Sequence, residues 1–232
     1  MYIVHHAKFN KPKDEFIIMA IKIFTNFFKR IFSNIFKNKK HIKLGFYGPP
    51  NAGKTSLANR ICKDFTGEEI GNVSKIPHET RNVQFKEKVE MEYKGKKMTF
   101  KMIDTPGIAT KIDYEDFLKY KIKKKDAKKR AKEATQGVVE SIKWLDDMDI
   151  VVVVLDAIEN PYNQVNITII GNLVARKIPV LIAANKIDLR KADIKKIESA
   201  FPDYEVVGIS AKYGKNLEEF YESLFKLSKK VK

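Results

Sequence analysis

The chain offers little sulfur or imidazole chemistry, because its 232 residues contain one cysteine and four histidines. A single cysteine excludes an internal disulfide and is compatible with a reducing compartment, so we expect a cytoplasmic protein. The histidines have no cysteine partners at the spacing of metal ligands, which argues against a zinc-type site. Cys62 lies inside a predicted helix, where we expect it to be a small buried apolar residue rather than a nucleophile.

The N-terminal part of the chain also lacks a run that could cross a bilayer, which needs about 20 mostly apolar residues. Residues 17–36 are interrupted by lysines, and no small-residue cleavage site follows them, so they match neither a span nor a secretory signal. Their apolar residues recur at helical spacing with basic residues opposite, which predicts an amphipathic helix within a basic N-terminal extension, residues 1–40. Residues 17–37 would lie on an anionic membrane surface, peripheral to its inner face, or pack on the rest of the chain or on a protein partner.

One glycine-containing loop carries the clearest chemical signal in the sequence. Residues 48–55 fit the pattern G-x-x-x-x-G-K-[ST] and lie between an apolar strand, residues 42–47, and a predicted helix. Backbone N–H groups of such a loop point at a phosphate, and the helix N-terminus adds its positive dipole end. The lysine would reach the β- and γ-phosphates and the threonine hydroxyl would hold Mg²⁺. The predicted phosphate-binding residues are Gly48, Asn51, Ala52, Gly53, Lys54, Thr55 and Ser56.

Three further motifs follow predicted strands. Asp104-Thr105-Pro106-Gly107 supplies an acidic residue for the magnesium shell, and the Gly107 N–H can approach a γ-phosphate. In Asn185-Lys186-Ile187-Asp188, the Asp188 carboxylate can accept from both N1–H and the 2-amino group of guanine, a pair that adenine does not offer. Ser210-Ala211-Lys212 would line the base from its other side. The set therefore predicts a site for GTP or GDP.

In their order and spacing these motifs resemble those of the Era-like branch of the translation-factor-related GTPases. The resemblance covers the chain from Lys43 onward and implies a Mg²⁺-dependent GTP switch, residues 41–232, that hydrolyses GTP to GDP and phosphate. It also implies an α/β fold of the P-loop NTPase class, a three-layer sandwich around a mostly parallel six-stranded sheet with one antiparallel edge hairpin. Because the chain ends at Lys232, we expect it to lack the C-terminal RNA-binding KH module of Era, and the role of that module is not carried over.

Hydrophobic periodicity places the secondary structure around these motifs. Uninterrupted or alternating apolar runs predict strands at about 42–47, 83–93, 97–103, 150–155, 180–184 and 206–209. Helical spacing predicts helices at about 54–63, 137–147, 163–176, 192–199 and 215–228.

The first switch is expected between Thr66 and Asn82, a stretch without a clear apolar period that reads as a mobile loop. The resemblance requires a threonine here to complete the magnesium shell. Thr80 is the better match, because Era-like proteins place a Thr-Arg pair just before the second strand, and Thr66 is the competing candidate but lies close to the first helix. The predicted metal ligands are Thr55, Thr80 and Asp104.

The residues expected to act in hydrolysis are Lys54, Thr80 and Asn51. Where Ras-like proteins place a glutamine that orients the attacking water, this chain has Ile108, so intrinsic hydrolysis should be slow. The resemblance implies stimulation by K⁺ bound through Asn51, and the alternative is a turn-forming asparagine that bonds its own loop. A partner or a GTP-dependent dimer would complete the site. The alternative function is a slow or non-hydrolysing nucleotide-gated module that recruits a protein partner, membrane or RNA.

A basic insertion, residues 109–136, follows the Asp-Thr-Pro-Gly motif. The chain has 45 lysines and arginines against 29 acidic residues, a net charge of +16, and much of that surplus lies here and at Lys37-Asn38-Lys39-Lys40. Residues 119–132 could bind RNA or an acidic partner, although the few aromatic residues give little sign of base stacking. The alternative is a solvated helix without a partner. If the run belongs to the second switch, its order should change with the nucleotide.

Overall fold

The computed structural model describes residues 41–71, 80–93, 95–109 and 111–231. The predicted amphipathic helix at residues 17–37 and residues 72–79 of the predicted first switch therefore lie outside the described residues. None of the helices in the described ranges has the length and hydropathy that crossing a bilayer requires.

One sheet of six strands organises the fold: β1 (Ile42–Tyr47), β2 (Gln84–Tyr93), β3 (Lys96–Asp104), β4 (Ile150–Asp156), β5 (Val180–Asn185) and β6 (Glu205–Ile209). The strand order is β2-β3-β1-β4-β5-β6. All neighbouring strands are parallel except β2 and β3, which form an antiparallel hairpin at one edge. The predicted mostly parallel sheet with an edge hairpin is confirmed, and each strand lies within two residues of its expected position.

Both faces of the sheet are covered, which explains why its central strands are continuously apolar. Successive side chains of a strand point to opposite faces. In β4, Val152 and Val154 accordingly belong to one buried cluster, and Val151 and Val153 belong to the other. The helices are α1 (Lys54–Thr66), α2 (Tyr114–Leu118), α3 (Lys124–Trp144), α4 (Gln164–Arg176), α5 (Ile194–Ala200) and α6 (Leu217–Ser228). The side chains of α1 and α6 fill the first cluster, and those of α4 and α5 fill the second.

The structure corrects one helix boundary. The helix expected to begin at residue 137 begins at Lys124, so the predicted insertion is largely helical, and the short helix α2 precedes it. Lysine is a good helix former, so its abundance here favours a helix. The buried face of α3 consists of small residues that a search for large apolar side chains overlooks: Ala127, Ala134, Gly137 and Ser141.

Candidate functional site

The motif residues lie together at the carboxyl ends of the five parallel strands. Asp104, Asp156 and Asn185 are the last residues of β3, β4 and β5, and the phosphate loop and Ser210 directly follow β1 and β6. Ligands of open α/β sheets bind outside the carboxyl ends of the parallel strands. The topology thus assembles the predicted site from five separate segments.

The phosphate loop requires glycine at two positions, because each of them lies against a different neighbouring group. A Cβ on Gly48 would lie 2.2 Å from the carbonyl oxygen of Val154, and one on Gly53 would lie 2.2 Å from Nδ2 of Asn185. Gly53 also has a φ of 97° at the N-terminus of α1, a left-handed conformation that favours glycine. Other side chains are excluded at both positions, and the loop lies directly on β4 and on the Asn185 side chain.

Lys54 is a buried cation held by the loop itself. Its Nζ donates to the carbonyl oxygen of Pro49 at 2.9 Å, and its side chain is largely shielded from solvent. Burial lowers the pKa of Lys54 to about 8, and the nearby Asp104 carboxylate acts in the opposite direction. The amine therefore remains mainly protonated at neutral pH. Its partner is a neutral carbonyl oxygen, which a phosphate oxygen can replace with a gain in charge complementarity.

Gly107 brings the main chain of the Asp-Thr-Pro-Gly motif against this lysine. A Cβ on Gly107 would lie 2.8 Å from Cα of Pro50 and 3.2 Å from Nζ of Lys54. Only a residue without a side chain allows this approach. The main chain at Gly107 therefore lies directly beside the Lys54 amine.

Three oxygen-bearing side chains meet beside Lys54. The Thr55 hydroxyl donates to Oδ2 of Asp104 at 2.6 Å, and Oγ1 of Thr80 lies 3.0 Å from Oγ1 of Thr55. A hydroxyl has one proton, and that of Thr55 is directed to Asp104, so Thr80 is the donor of the second bond. The competing candidate, Thr66, is the last residue of α1 and donates to the carbonyl oxygen of Cys62 at 2.8 Å. Thr80, and not Thr66, is the threonine that reaches the cluster.

This oxygen cluster fits Mg²⁺. Asp104 is fully buried, and within the described part of the chain its Oδ1 has no hydrogen-bond partner. Burial raises the pKa of Asp104 to about 6, while the Thr55 hydrogen bond and the Lys54 charge act to lower it. A hard divalent cation would satisfy this oxygen. Among the described residues, no three His, Cys, Asp or Glu side chains lie close enough together to hold a metal ion by themselves. This suits Mg²⁺, which commonly takes its remaining ligands from water and substrate phosphates.

Asn185 connects the phosphate loop to the loop after β6. Its Nδ2 donates to the carbonyl oxygen of Ala52 at 2.9 Å, and its Oδ1 accepts from the backbone N–H of Ala211 at 3.0 Å. Asn185 and Ala211 are both buried. This amide therefore fixes the distance between the part of the site that would hold phosphate and the part that would hold the base.

The remaining predicted base contacts lie on the adjoining loops. Lys186 has a φ of 71° and forms an ion pair with Asp156, so its side chain is anchored to the end of β4. Asp188 interacts electrostatically with Lys212, which places both motifs at the same part of the site. Ser210 is buried and its hydroxyl accepts from the N–H of Tyr213 at 3.3 Å.

Ile108 has an apolar side chain that is buried, so it does not supply a polar group to the site. Its side chain is buried in the second apolar cluster, and its N–H donates to the carbonyl oxygen of Gly48 at 3.1 Å. An open pocket of about 290 Å³ is lined by Pro50, Asn51 and Ala109, by α2 and by residues on both sides of α2. Asn51 is exposed, with a φ of 59°.

Sequence reasoning missed several residues that shape the site. Asp156 ends an apolar strand in the same way as Asp104, and that position was a usable signal. Arg81 forms an ion pair with Glu133 in α3, with 2.7 Å between Nη1 and Oε2, and Gly137 lies against the backbone of Arg81. No sequence pattern pairs these residues, because they are separated by about 50 positions.

Comparison with known proteins gives the same classification. A family model described as "50S ribosome-binding GTPase" matches residues 43–186. The GTPase Der of Aquifex aeolicus (strain VF5) is 30% identical over 186 residues, which cover 77% of this chain and 37% of that protein. The GTPase Der of Marinomonas sp. (strain MWYL1) is 29% identical over 193 residues, covering 79% and 37%. The chain thus spans little more than a third of the length of these relatives.

Solved structures with a similar fold include Era from Aquifex aeolicus bound to GDP·AlF4⁻, with a TM-score of 0.62 and 21% identity over 82% of this chain and 57% of that one. Era in complex with MgGDPNP and a segment of 16S ribosomal RNA also has a TM-score of 0.62, at 22% identity over the same shares. At this identity the likeness concerns the fold alone. Since the family match covers most of the chain, the protein belongs to the family described as 50S ribosome-binding GTPase and is an Era-like P-loop GTPase.

Proposed function

We propose that the chain is a Mg²⁺-dependent molecular switch that binds GTP and hydrolyses it to GDP and phosphate. The observation that carries this proposal is the convergence of Thr55, Thr80 and Asp104 beside a buried, protonated Lys54. Oδ1 of Asp104 has no hydrogen-bond partner among the described residues. Such a site has a place for a divalent cation and for the phosphate oxygens that bind it.

Each residue has a distinct role in this proposal. Lys54 and the N–H groups of the phosphate loop neutralise the β- and γ-phosphates, and the Gly107 N–H reaches the terminal phosphate. Thr55, Thr80 and Asp104 hold Mg²⁺, which supplies further charge neutralisation when it is bound. Asp188 accepts from the guanine edge. Phosphoryl transfer to water depends mainly on positioning and on charge stabilisation, which these groups provide.

Nucleotide selectivity gives the first test. Binding of GTP, inosine triphosphate and ATP is compared by equilibrium competition against a fluorescent GTP analogue, with Mg²⁺ and with EDTA. The expected affinity order is GTP, then inosine triphosphate, then ATP, because inosine lacks the 2-amino donor and adenine lacks N1–H as well. Equal affinity for GTP and ATP would contradict the assignment of Asp188.

The two candidate threonines provide a matched pair of variants for the magnesium shell. Thr80→Val should raise the Mg²⁺ concentration required for half-maximal GTP binding. Thr66→Val should leave it unchanged, because the Thr66 hydroxyl is bonded to α1. The same shift in both variants, or in neither, would remove Thr80 from the site.

We also propose that hydrolysis is slow and stimulated by K⁺ through Asn51. The buried Ile108 supports the first part, because an apolar side chain at this position does not orient water. The exposed Asn51 at the rim of the 290 Å³ pocket supports the second, since an amide oxygen there is open to a cation. Turnover is compared in KCl and NaCl for the wild type and for Asn51→Ala. Equal rates in the two salts would contradict this proposal and favour the turn-forming role.

The alternative function is a nucleotide-gated binding module that scarcely hydrolyses GTP. The same buried Ile108 favours it, and the open pocket beside Asn51 is where a partner or a second copy would add the missing group. Single-turnover hydrolysis separates the two functions. A measurable rate supports the enzyme, and tight GTP binding without product over hours supports the module.

The basic insertion is proposed to bind an anionic partner, RNA or an acidic protein surface. In the part of α3 that belongs to the insertion, residues 124–136, five lysines are exposed: Lys124, Lys125, Lys128, Lys129 and Lys132. Affinity for a single-stranded RNA oligonucleotide should fall steeply with salt if phosphates are contacted. An absence of RNA binding at low salt would leave the acidic protein surface. Equal protease sensitivity of residues 119–132 with GDP and with a GTP analogue would contradict a nucleotide-dependent change of order there.

Residues 17–37 are proposed as a separate contact, with an anionic membrane surface. This proposal rests on the spacing of apolar and basic residues in the sequence, since the segment lies outside the described residues. Flotation with anionic liposomes should retain the full chain and lose a chain lacking residues 1–38. Equal recovery of both would favour packing on a protein surface.

A further inference from the structure

Helix α3 contacts the two segments that surround the cluster of Thr55, Thr80 and Asp104. The first segment is Thr80–Arg81, and its Arg81 side chain donates from Nη1 to Oε2 of Glu133 at 2.7 Å. Both side chains are about one third exposed, so the pair is accessible but partly shielded. This ion pair ties the residue next to Thr80 to the middle of the helix.

The second point of contact is Gly137, one helical turn further along α3. A Cβ at this position would lie 2.4 Å from the carbonyl oxygen of Arg81 and 3.0 Å from Cγ of Pro106. The backbone of the first segment and the proline of the Asp-Thr-Pro-Gly motif therefore rest on the same buried patch of helix backbone, which carries no side chain at Gly137. Only glycine permits both contacts at once.

The third point is Ser141, another turn along. Its Oγ lies within hydrogen-bond distance of the carbonyl oxygens of Gly137, at 2.8 Å, and Pro106, at 3.3 Å. Its own carbonyl oxygen accepts from the hydroxyl of Tyr47 at 3.0 Å, and Tyr47 is the residue directly before the phosphate loop. Ser141 is fully buried, so these bonds are made away from water.

Residues four positions apart lie on one face of a helix. Glu133, Gly137 and Ser141 are spaced in this way and contact the segment of Thr80, the segment of Asp104 and the strand that leads into the phosphate loop. We name these three residues the α3 stripe. Lys129, four positions before Glu133, lies on the same face and pairs with it, with 3.9 Å between Nζ and Oε1. The other exposed lysines of α3 lie on other faces of the helix.

We propose that the α3 stripe positions Thr80 in the magnesium shell, with Glu133 acting through Arg81, and so couples the basic surface of α3 to the nucleotide. The proposal rests on the proposed Mg²⁺-dependent switch. Thr80 reaches Thr55 only while the Arg81 backbone is seated on Gly137, and the Glu133 carboxylate holds it there. Because coupling between two binding sites is reciprocal, an anionic partner on α3 would alter Mg²⁺·GTP affinity by the same factor by which Mg²⁺·GTP alters affinity for that partner.

The test uses the full chain and the variant Glu133→Gln, which removes the charge but keeps the size. Glu140→Gln is the matched control, since Glu140 is an exposed glutamate two turns further along the same helix. The first readout is tryptic cleavage of the Arg81–Asn82 bond in nucleotide-free protein, followed by mass spectrometry. Cleavage reports the fraction of molecules in which the segment has left the helix.

A partly exposed ion pair changes an equilibrium by up to about fivefold. We therefore expect cleavage at Arg81 to become two- to fivefold faster in Glu133→Gln and to stay unchanged in Glu140→Gln. The second readout is the Mg²⁺ concentration for half-maximal GTP binding, which should rise by a similar factor in Glu133→Gln alone. The charge-reversed pair Arg81→Glu with Glu133→Arg should return this Mg²⁺ concentration to the wild-type value, whereas each of these single changes should not.

The outcomes separate the positioning role from the proposed function. Unchanged cleavage in Glu133→Gln, an equal effect in Glu140→Gln, or no recovery in the reversed pair would overturn the positioning role. If the wild type failed to bind Mg²⁺·GTP, the proposed function would fail, while cleavage of nucleotide-free protein would still report on the ion pair. A melting temperature of Glu133→Gln close to that of the wild type separates the local effect from general destabilisation.

Discussion

Gly137 allows a sharp test of how α3 is seated, because its replacement by alanine has two opposing effects. In a helix interior, alanine is more favourable than glycine by about 1 kcal/mol. At Gly137 the added Cβ would lie 2.4 Å from the carbonyl oxygen of Arg81, closer than real Cβ contacts allow, and 3.0 Å from Pro106. Overpacking of this kind costs about 1–3 kcal/mol. The expected net effect of Gly137→Ala is a loss of up to about 2 kcal/mol in the free energy of unfolding.

Gly171 in α4 is the matched control. It is also a helix-interior glycine, but a Cβ there would meet no atom within 4 Å. The free energy of unfolding of Gly171→Ala should therefore exceed that of the wild type by the full difference in helix propensity, about 1 kcal/mol. The two variants should differ by about 1–3 kcal/mol, and at about 2–4 °C per kcal/mol for a chain of this size their melting temperatures should clearly separate.

The assay is urea unfolding and thermal melting of wild type, Gly137→Ala and Gly171→Ala under identical conditions. The Mg²⁺ concentration for half-maximal GTP binding is a second readout, which should rise in Gly137→Ala only, because the Arg81 backbone is displaced. An equal stabilisation of both variants would refute the close packing of Arg81 and Pro106 on α3 and, with it, the physical basis of the α3 stripe.

Three further predictions concern the side chains of Asn185, Asp188 and Cys62. Asn185→Ala should lower the free energy of unfolding by about 2 kcal/mol or more in urea titrations, since a buried carbonyl oxygen and a buried N–H lose their partner. Asp188→Asn should weaken GTP binding about 10²–10⁴-fold and abolish the preference for GTP over inosine triphosphate, because two charge-assisted hydrogen bonds are lost; an unchanged preference would contradict its role. Burial raises the pKa of the Cys62 thiol to about 11, so iodoacetamide should label it at pH 8 only upon unfolding. The folded state favours the neutral thiol over the thiolate. The resulting contribution to the free energy of unfolding is therefore present below pH 9 and lost as the pH rises through about 11.

The fold was largely accessible from the sequence because its strands are buried on both faces. A run such as Val151–Leu155 has few alternatives to a central parallel strand, and the phosphate loop fixes where the first strand ends and the first helix begins. The insertion was less accessible, since the buried face of α3 is made of alanine, glycine and serine. These residues pack by their small size, and a search for large apolar side chains does not detect them.

The candidate site was likewise predictable from the sequence only in part. Lys54, Thr55, Asp104 and Asn185 are recognisable because short motifs place particular chemical groups at the ends of strands. The choice of Thr80 over Thr66 follows from distances, since only one of the two hydroxyls lies 3.0 Å from Thr55. The anchoring of Lys186 by Asp156 likewise becomes visible once β4 and β5 lie side by side.

By itself, the sequence determined the class of this protein: a P-loop GTPase chain whose motifs specify phosphate, magnesium and guanine contacts. It did so because each motif is local and its chemistry depends on residue type and short spacing. Only the tertiary structure decided which threonine lies beside Thr55 and Asp104, and which helix packs behind it. The partners in these contacts, Arg81 with Glu133 and Gly137 with Pro106, lie far apart in the chain and meet only because the edge hairpin and α3 flank the same end of the sheet.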